Sequence, residues 1–237
     1  MLFTETLVRY INKTPREEAV RKNILLKPSD KLYTEAIRYL GYRNDKNITL
    51  EIDSMIHKGM IETCAIAEPR ALYRYFFIQN TIDLNCDFMF HEHEGIILMG
   101  ATLGVSIDRL LGRTQIKDML YALVLDSCAT AAIEEVCDNL QIDLTSIYIN
   151  RNRYLTDRYS PGYGSLPLSI QSQLLFLLDA ERKIGLGATE NFLLTPSKSI
   201  TAMMWVDRSQ PKIEYNSCNI CKMCHTCNFR RGKVYDE

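Results

Sequence analysis

The sequence predicts an α+β fold, because helical and strand-like segments follow one another in irregular order. The clearest helical signal spans residues 168–184, where apolar side chains recur on one face. Residues 71–78 are aromatic and alternating, as in strands. Residues 95–103 form a continuous apolar run, which is compatible with a buried strand. A regular succession of strand, helix and strand is not present, so a parallel α/β architecture is disfavoured.

Several further helices are expected toward the N-terminus. Residues 4–26 have a weak apolar stripe and predict a charged amphipathic helix, which forms an N-terminal arm. A second helix is expected from the cap at Ser29 to Gly41, which suits a helix C-terminus. A third follows from Thr49, with apolar residues at helical spacing.

The second half of the chain continues with mixed signals. A long helical region is expected over residues 106–140, and its small side chains at 127–132 permit close packing of another helix or of a ligand. Helix packing is the favoured interpretation. Residues 86–90, 146–154 and 192–206 have strand-like composition, the last around a turn at a proline.

This pattern divides the chain into three parts. Residues 1–27 are the predicted arm, residues 28–207 the folded domain, and residues 208–237 a polar, cysteine-rich tail. An apolar content of 46% in 237 residues is enough for a core that depends on neither disulfides nor metal.

Charge and targeting signals restrict the classes of function. The formal net charge is −1 and the two signs are mixed along the chain, so neither nucleic acid nor an anionic membrane is an expected partner. The first residues have no apolar segment with a cleavage site, and no apolar run could span a bilayer. The expected location is the cytoplasm, where the eight cysteines stay reduced.

One turn contains a cation and exposed backbone groups that suit a small ligand with a carboxylate. It reads Arg-Tyr-Ser-Pro-Gly-Tyr and begins at Arg158, whose planar guanidinium can bind a carboxylate through two hydrogen bonds. Pro161 fixes φ and Gly162 permits a positive φ, so the backbone of Ser160 can face outward. Tyr163 adds an aromatic face. Ser-Pro-Gly is also an ordinary turn sequence, so the turn alone does not decide between a bend and a ligand site.

Motifs that follow this turn give it more weight. An amphipathic helix comes next, and then four short motifs in a fixed order: Ile184-Gly185, Thr189-Glu190, Pro196 and Ser199-Ile200-Thr201. Together with the turn, they resemble the reactivation domain of cobalamin-dependent methionine synthase. The resemblance covers residues 28–207, and its most specific part is 158–201.

The resemblance implies both a fold and a function. The implied fold is a bent antiparallel β-sheet flanked by helices. The implied function is to bind S-adenosylmethionine and present its methyl group to cobalamin, after an electron donor has reduced inactive cob(II)alamin. The cobalamin would be carried by a partner, which is methionine synthase or another corrinoid protein.

Roles for individual residues also follow from the resemblance. Arg158 would pair with the α-carboxylate, the Ser160 backbone would bind adenine, and Tyr163 would lie near the face of the cofactor. Pro161 and Gly162 complete the ligand-binding turn. Glu134 matches the glutamate near the ammonium, although the adjacent Glu135 leaves the register open.

The sequence departs from the family pattern in two places. Residues 164–167 read Gly-Ser-Leu-Pro where fused family members have Pro-Ala-Cys-Pro, and the acidic, aromatic-rich opening that contacts the ammonium is missing. No cobalamin-binding module is recognisable in the sequence either. The expected protein is therefore a stand-alone form that acts on a corrinoid protein in trans.

The cysteine-rich tail predicts a second site. Four cysteines recur at every third position, a spacing that can direct thiolates toward one metal: Cys218, Cys221, Cys224 and Cys227. An iron–sulfur cluster is favoured slightly over zinc, and a metal-free tail is the alternative. A cluster would allow a second function, electron transfer to a corrinoid methyltransferase. A non-catalytic binding subunit is the third interpretation.

The remaining candidate ligands are expected to be structural. The other cysteines lie in apolar segments and are expected in the core: Cys64, Cys86, Cys128 and Cys137. His91 and His93 have metal-binding spacing but are expected to form an exposed pair without a third ligand.

Overall fold

The computed structural model describes residues 17–42, 48–78, 93–163 and 166–209. Its strands are β1 (Val20–Asn23), β2 (Arg70–Phe77), β3 (Gly95–Thr102), β4 (Tyr154–Leu155), β5 (Gly187–Ala188), β6 (Leu194–Thr195) and β7 (Ser199–Asp207). Its helices are α1 (Asp30–Tyr39), α2 (Leu50–Ile66), α3 (Val105–Lys117), α4 (Met119–Ile149), α5 (Gln171–Leu178) and α6 (Ala180–Ile184), with a 3₁₀ turn at Leu168–Ile170.

Five of the strands form one curled antiparallel sheet in the order β1-β2-β3-β7-β4. β3 lies at the centre, where Leu98 is opposite Arg74 of β2 and Met203 of β7. β5 and β6 form a separate antiparallel pair. Helices cover the large sheet, so the predicted α+β fold with a bent antiparallel sheet is confirmed.

Both faces of the sheet are buried at its central strand β3. Along β3, Ile97 and Met99 contribute to the core shared with α1, α2 and α4, whereas Ile96 and Leu98 contribute to the core shared with α5 and α6. All eight residues of β3 are buried as a result. A strand covered on both faces can be apolar at every position, which explains the continuous run in the sequence.

Side-chain caps set the starts of α1, α2 and α4. Ser29 Oγ accepts a hydrogen bond from Leu32 N at 3.1 Å, and Thr49 Oγ1 accepts one from Ile52 N at 3.3 Å. Both predicted starts are confirmed. Asp118 ends α3 in an extended conformation and caps α4 through Tyr121 N at 2.9 Å. The helical region expected over residues 106–140 is therefore two helices.

Two other expectations from the sequence are wrong. Residues 146–149 are the last turn of α4, not a strand, because Leu140, Leu144 and Tyr148 continue its buried face at a spacing of four. Val20–Asn23 is a strand, not a helix, since its backbone pairs with β2. The remainder of the predicted arm before residue 17 and the predicted strand at 86–90 lie outside the described residues.

The run of small side chains in α4 serves helix packing. Cys128 Sγ lies only 3.1 Å from the position that a Cβ on Gly59 of α2 would occupy. Larger side chains at this contact would force the helices apart, as the packing interpretation predicts. Within the ranges that the structure describes, no helix has the length and apolarity needed to cross a bilayer.

Candidate ligand-binding site

The Arg-Tyr-Ser-Pro-Gly-Tyr segment forms a tight turn. Ser160 C=O accepts a hydrogen bond from Tyr163 N at 3.2 Å, and Gly162 has a φ of +89°, as a type II turn requires. Gly162 N donates to Leu166 O at 2.9 Å, which closes the loop behind the turn. Pro161 is buried, whereas the Tyr163 side chain is 63% exposed. The turn therefore presents an aromatic ring to solvent above a fixed backbone.

The sheet holds this turn in place. Tyr159 and Met203 of β7 exchange two backbone hydrogen bonds, both at 2.9 Å. The Tyr159 hydroxyl also donates to Tyr163 O at 2.8 Å. Among the described residues, no hydrogen bond is made by the N–H of Ser160. The backbone at Ser160 is thus rigid and has a donor to offer.

Arg158 extends from the start of the turn to α4. Its Nη2 lies 2.7 Å from Asp138 Oδ1 and 3.2 Å from Glu134 Oε2. Only 14% of the Arg158 side chain is exposed, and its buried Nη1 has no hydrogen-bond partner in the part of the chain that the structure describes. A buried donor left unpaired costs about 1–3 kcal/mol, so an acceptor is expected at this position.

The structure separates the two adjacent glutamates of α4. Glu134 is the one that contacts Arg158. Glu135 points instead toward α1, where its Oε2 accepts from Ser29 Oγ at 3.4 Å, and burial raises the pKa of its carboxyl group. Glu134 is therefore the partner of Arg158, whereas its match to the family's glutamate and its contact with a ligand stay predictions.

Arg158 lies in a cluster of charged side chains, two of which, Asp138 and Lys31, were missed by the sequence reasoning. Asp138 contacts Arg158, and its second oxygen, Oδ2, lies 2.8 Å from Lys31 Nζ in the first turns of α1. Asp138 follows Glu134 by four residues on one helix, so helical periodicity could have found it. No local signal could have identified Lys31, because 107 residues separate it from Asp138.

The motifs downstream of the turn make hydrogen bonds that stabilise the fold around it. Thr201 Oγ1 accepts from the buried Gln171 Nε2 at 2.7 Å, which ties β7 to α5. Ser199 Oγ donates to Thr102 Oγ1 at 2.8 Å and links β7 to β3. Thr189 Oγ1 accepts from Leu193 N at 3.2 Å and stabilises the turn between β5 and β6. The first two contacts orient β7, the strand to which the ligand turn is attached.

His93 forms a structural contact. Its ring stacks on Trp205 at 5.1 Å and its Nδ1 pairs with Asp207 at the end of β7, so the expectation of an exposed residue is wrong. Only 13% of its side chain is exposed. His91 lies outside the described residues. Within those residues, no group of three His, Cys, Asp or Glu side chains could hold a metal ion.

The cysteines that the structure describes are packing residues. Cys128 and Cys137 are buried, and burial raises the pKa of each thiol to about 12. Cys64 is half-buried, and burial raises its pKa to about 11. Such thiols are protonated near neutral pH and are poor nucleophiles. Cys86 and the four cysteines of the tail lie outside the described residues.

The fold and the turn define a class of protein: an α+β module with a rigid, sheet-anchored turn whose arginine faces acidic side chains on a central helix. Residues 119–229 match the family described as "Vitamin B12 dependent methionine synthase, activation domain". The resemblance to this activation domain is thereby confirmed.

A solved structure has the same fold. It is the "Crystal Structure of the MetH Reactivation Domain bound to AdoHcy", which is 14% identical to this chain with a TM-score of 0.64. The match covers 85% of this chain and 81% of that chain. At this identity the likeness concerns the fold alone. No curated protein matches this sequence.

Proposed function

We propose that the protein binds S-adenosylmethionine at the Arg158 turn and supports the reductive remethylation of cobalamin on a separate corrinoid protein. The observation that carries the proposal is the buried Nη1 of Arg158, a donor without a partner among the described residues. A ligand carboxylate would satisfy it through a charge-assisted hydrogen bond. Support also comes from the activation-domain family match and from the fold shared with an AdoHcy-bound reactivation domain.

Each predicted site residue has a role in this proposal. Arg158 Nη1 donates to the α-carboxylate, and Glu134 accepts from the α-ammonium. The Ser160 backbone binds the adenine edge, because Pro161 and Gly162 hold it in a fixed conformation. The exposed Tyr163 faces the corrin of the partner, which is methionine synthase or another corrinoid protein in the cytoplasm.

The chemical task is positioning. An electron donor first reduces cob(II)alamin by one electron to cob(I)alamin. The cobalt electron pair then attacks the sulfonium methyl group, the carbon–sulfur bond breaks, and methylcobalamin and S-adenosylhomocysteine are formed. The transfer requires cobalt, carbon and sulfur in line, so a rigid turn that fixes the sulfonium is the contribution expected of this chain.

Arg158→Ala tests the proposal directly. Loss of the carboxylate partner should weaken S-adenosylmethionine binding by about 1.5–3 kcal/mol, or roughly 10- to 100-fold in Kd. Isothermal titration calorimetry on wild type and variant measures this change. The matched control is Arg113→Ala, because Arg113 is exposed on α3 and makes no ion pair among the described residues. A wild-type protein that does not bind the ligand would remove the proposal.

We further propose that Cys218, Cys221, Cys224 and Cys227 hold a metal, with an iron–sulfur cluster favoured over zinc. Support comes from the Cys-x-x-Cys spacing, which brings successive thiolates toward one ion. After anaerobic purification, the protein should contain iron and absorb visible light, and replacing the four cysteines with serine should abolish both. The serine variant should retain S-adenosylmethionine binding. Iron-free, colourless wild-type protein would contradict the cluster.

The same spacing supports a second candidate function, an iron–sulfur protein that transfers electrons to a corrinoid methyltransferase. Iron content without S-adenosylmethionine binding would favour it. A protein with neither property would be a non-catalytic binding subunit.

A further inference from the structure

Asp138 has an unusual position in the cluster on α4. Its two oxygens contact two different cations, Arg158 at 2.7 Å and Lys31 at 2.8 Å. Only 18% of the Asp138 side chain is exposed, so water solvates little of its charge. A carboxylate at this depth requires cationic or hydrogen-bonding partners.

The two cations differ in how easily they can leave. Arg158 is 14% exposed and lies within the anchored turn, whereas 50% of the Lys31 side chain is exposed. Lys31 can therefore swing its ammonium into water, because half of its side chain is already exposed and Asp138 keeps its contact with Arg158. Arg158 has no such freedom.

We propose that Asp138 binds the α-ammonium of the ligand, and that Lys31 occupies this position when no ligand is present. The Lys31 side chain and an amino acid both end in a primary ammonium with three donors, so one can replace the other on the same carboxylate oxygen. The inference rests on the proposed function, since it assumes an amino-acid ligand at Arg158. It gives the chain a second ammonium acceptor beside Glu134.

The charges of the cluster favour a zwitterion. When Lys31 withdraws into water, the ligand ammonium restores the positive charge beside Asp138, which also contacts Arg158. The ligand carboxylate accepts from the Nη1 of Arg158, which has no partner among the described residues. A head that lacks the ammonium cannot replace Lys31, and a head that lacks the carboxylate leaves Nη1 without an acceptor, at a cost of about 1–3 kcal/mol. The site should therefore select ligands with an intact amino-acid head.

Two variants and two ligands test this exchange. The probes are S-adenosylhomocysteine and its deaminated analogue, in which hydrogen replaces the α-amino group. Lys31→Met should tighten binding of S-adenosylhomocysteine about two- to fivefold, because a competitor is removed. Binding of the deaminated analogue should not change, since it does not displace Lys31. Lys117→Met, at an exposed lysine without an ion pair among the described residues, controls for the lost charge.

Asp138→Asn should have the opposite effect. It should weaken binding of S-adenosylhomocysteine about 10- to 100-fold, the scale of a charged hydrogen bond. The deaminated analogue should lose less than about threefold, because Glu134 still holds Arg158. Asp143→Asn, farther along α4 and 59% exposed, is the matched control.

The outcomes separate the two proposals. Wild-type protein that binds neither ligand removes the proposed function, and this inference with it. If wild type binds but Asp138→Asn weakens both ligands equally, or Lys31→Met does not tighten S-adenosylhomocysteine, only this inference is overturned. Because Lys31 is half exposed, its variant gives a result even if Asp138→Asn folds poorly.

Discussion

Leu98→Ala is expected to lower the free energy of unfolding by about 2–5 kcal/mol, the range for truncating a buried leucine. Leu98 has no exposed surface and lies in the central strand β3, opposite Arg74 and Met203. Its side chain belongs to the core shared with α5 and α6. Strands on both sides restrain the backbone, so the surroundings can collapse only partly into the cavity. Urea denaturation with circular dichroism detection measures the change.

The matched control is Leu50→Ala. Leu50 is 90% exposed in the first turn of α2, so the same substitution removes almost no buried surface there. Its effect should stay within about 0.5 kcal/mol, as for most surface substitutions. Equal effects at the two positions would mean that β3 is not the centre of the core. The thermal midpoint of Leu98→Ala should fall by about 2–4 °C per kcal/mol.

Much of the fold could be predicted because the relevant signals are local. The caps at Ser29 and Thr49 are read directly from the sequence, and β3 is recognisable from its apolar run. The break at Asp118 was missed because apolar residues continue on both sides of it, and only the backbone geometry shows that one helix ends and another begins there.

The wrong strand assignment at residues 146–149 has a physical explanation. Ile147, Tyr148 and Ile149 favour strands by intrinsic propensity, but tertiary packing decides in favour of a helix. Leu144 and Tyr148 are buried one turn apart in α4 against the same core. The intrinsic strand propensity of these residues contributes less free energy than the burial of this helix face. A prediction from local sequence alone therefore assigns the wrong secondary structure.

The candidate site could be predicted only in part for a similar reason. Arg158 and Glu134 were identified through the family resemblance, and the structure brings them together. Asp138 and Lys31 complete the cluster through contacts across the fold, which no local pattern reveals. The site thus combines a turn that is fixed to β7 with side chains from two helices, α1 and α4. Its geometry depends on how the helices pack on the sheet.

Gly95→Ala is the second substitution with a large expected effect on this packing. Gly95 begins β3, and a Cβ there would lie 2.2 Å from the Tyr75 hydroxyl oxygen and 2.3 Å from its Cε2. The Tyr75 ring is 6% exposed and packs edge-on against Phe77 at 4.8 Å, with Tyr148 of α4 at 5.9 Å. The ring must move to admit the methyl group. Such overpacking should cost about 1–3 kcal/mol of unfolding free energy.

Gly112→Ala is the matched control and should have the opposite sign. Gly112 lies within α3, and a Cβ there would meet no atom within 4 Å. Alanine should therefore stabilise the helix by about 0.5–1 kcal/mol, since glycine is the poorer helix former. Chemical denaturation of the two variants beside wild type measures both signs in one experiment. If Gly95→Ala is as stable as wild type, the Tyr75 ring has room to move, and the aromatic contact between β2 and α4 does not fix the sheet against the helix that carries Glu134 and Asp138.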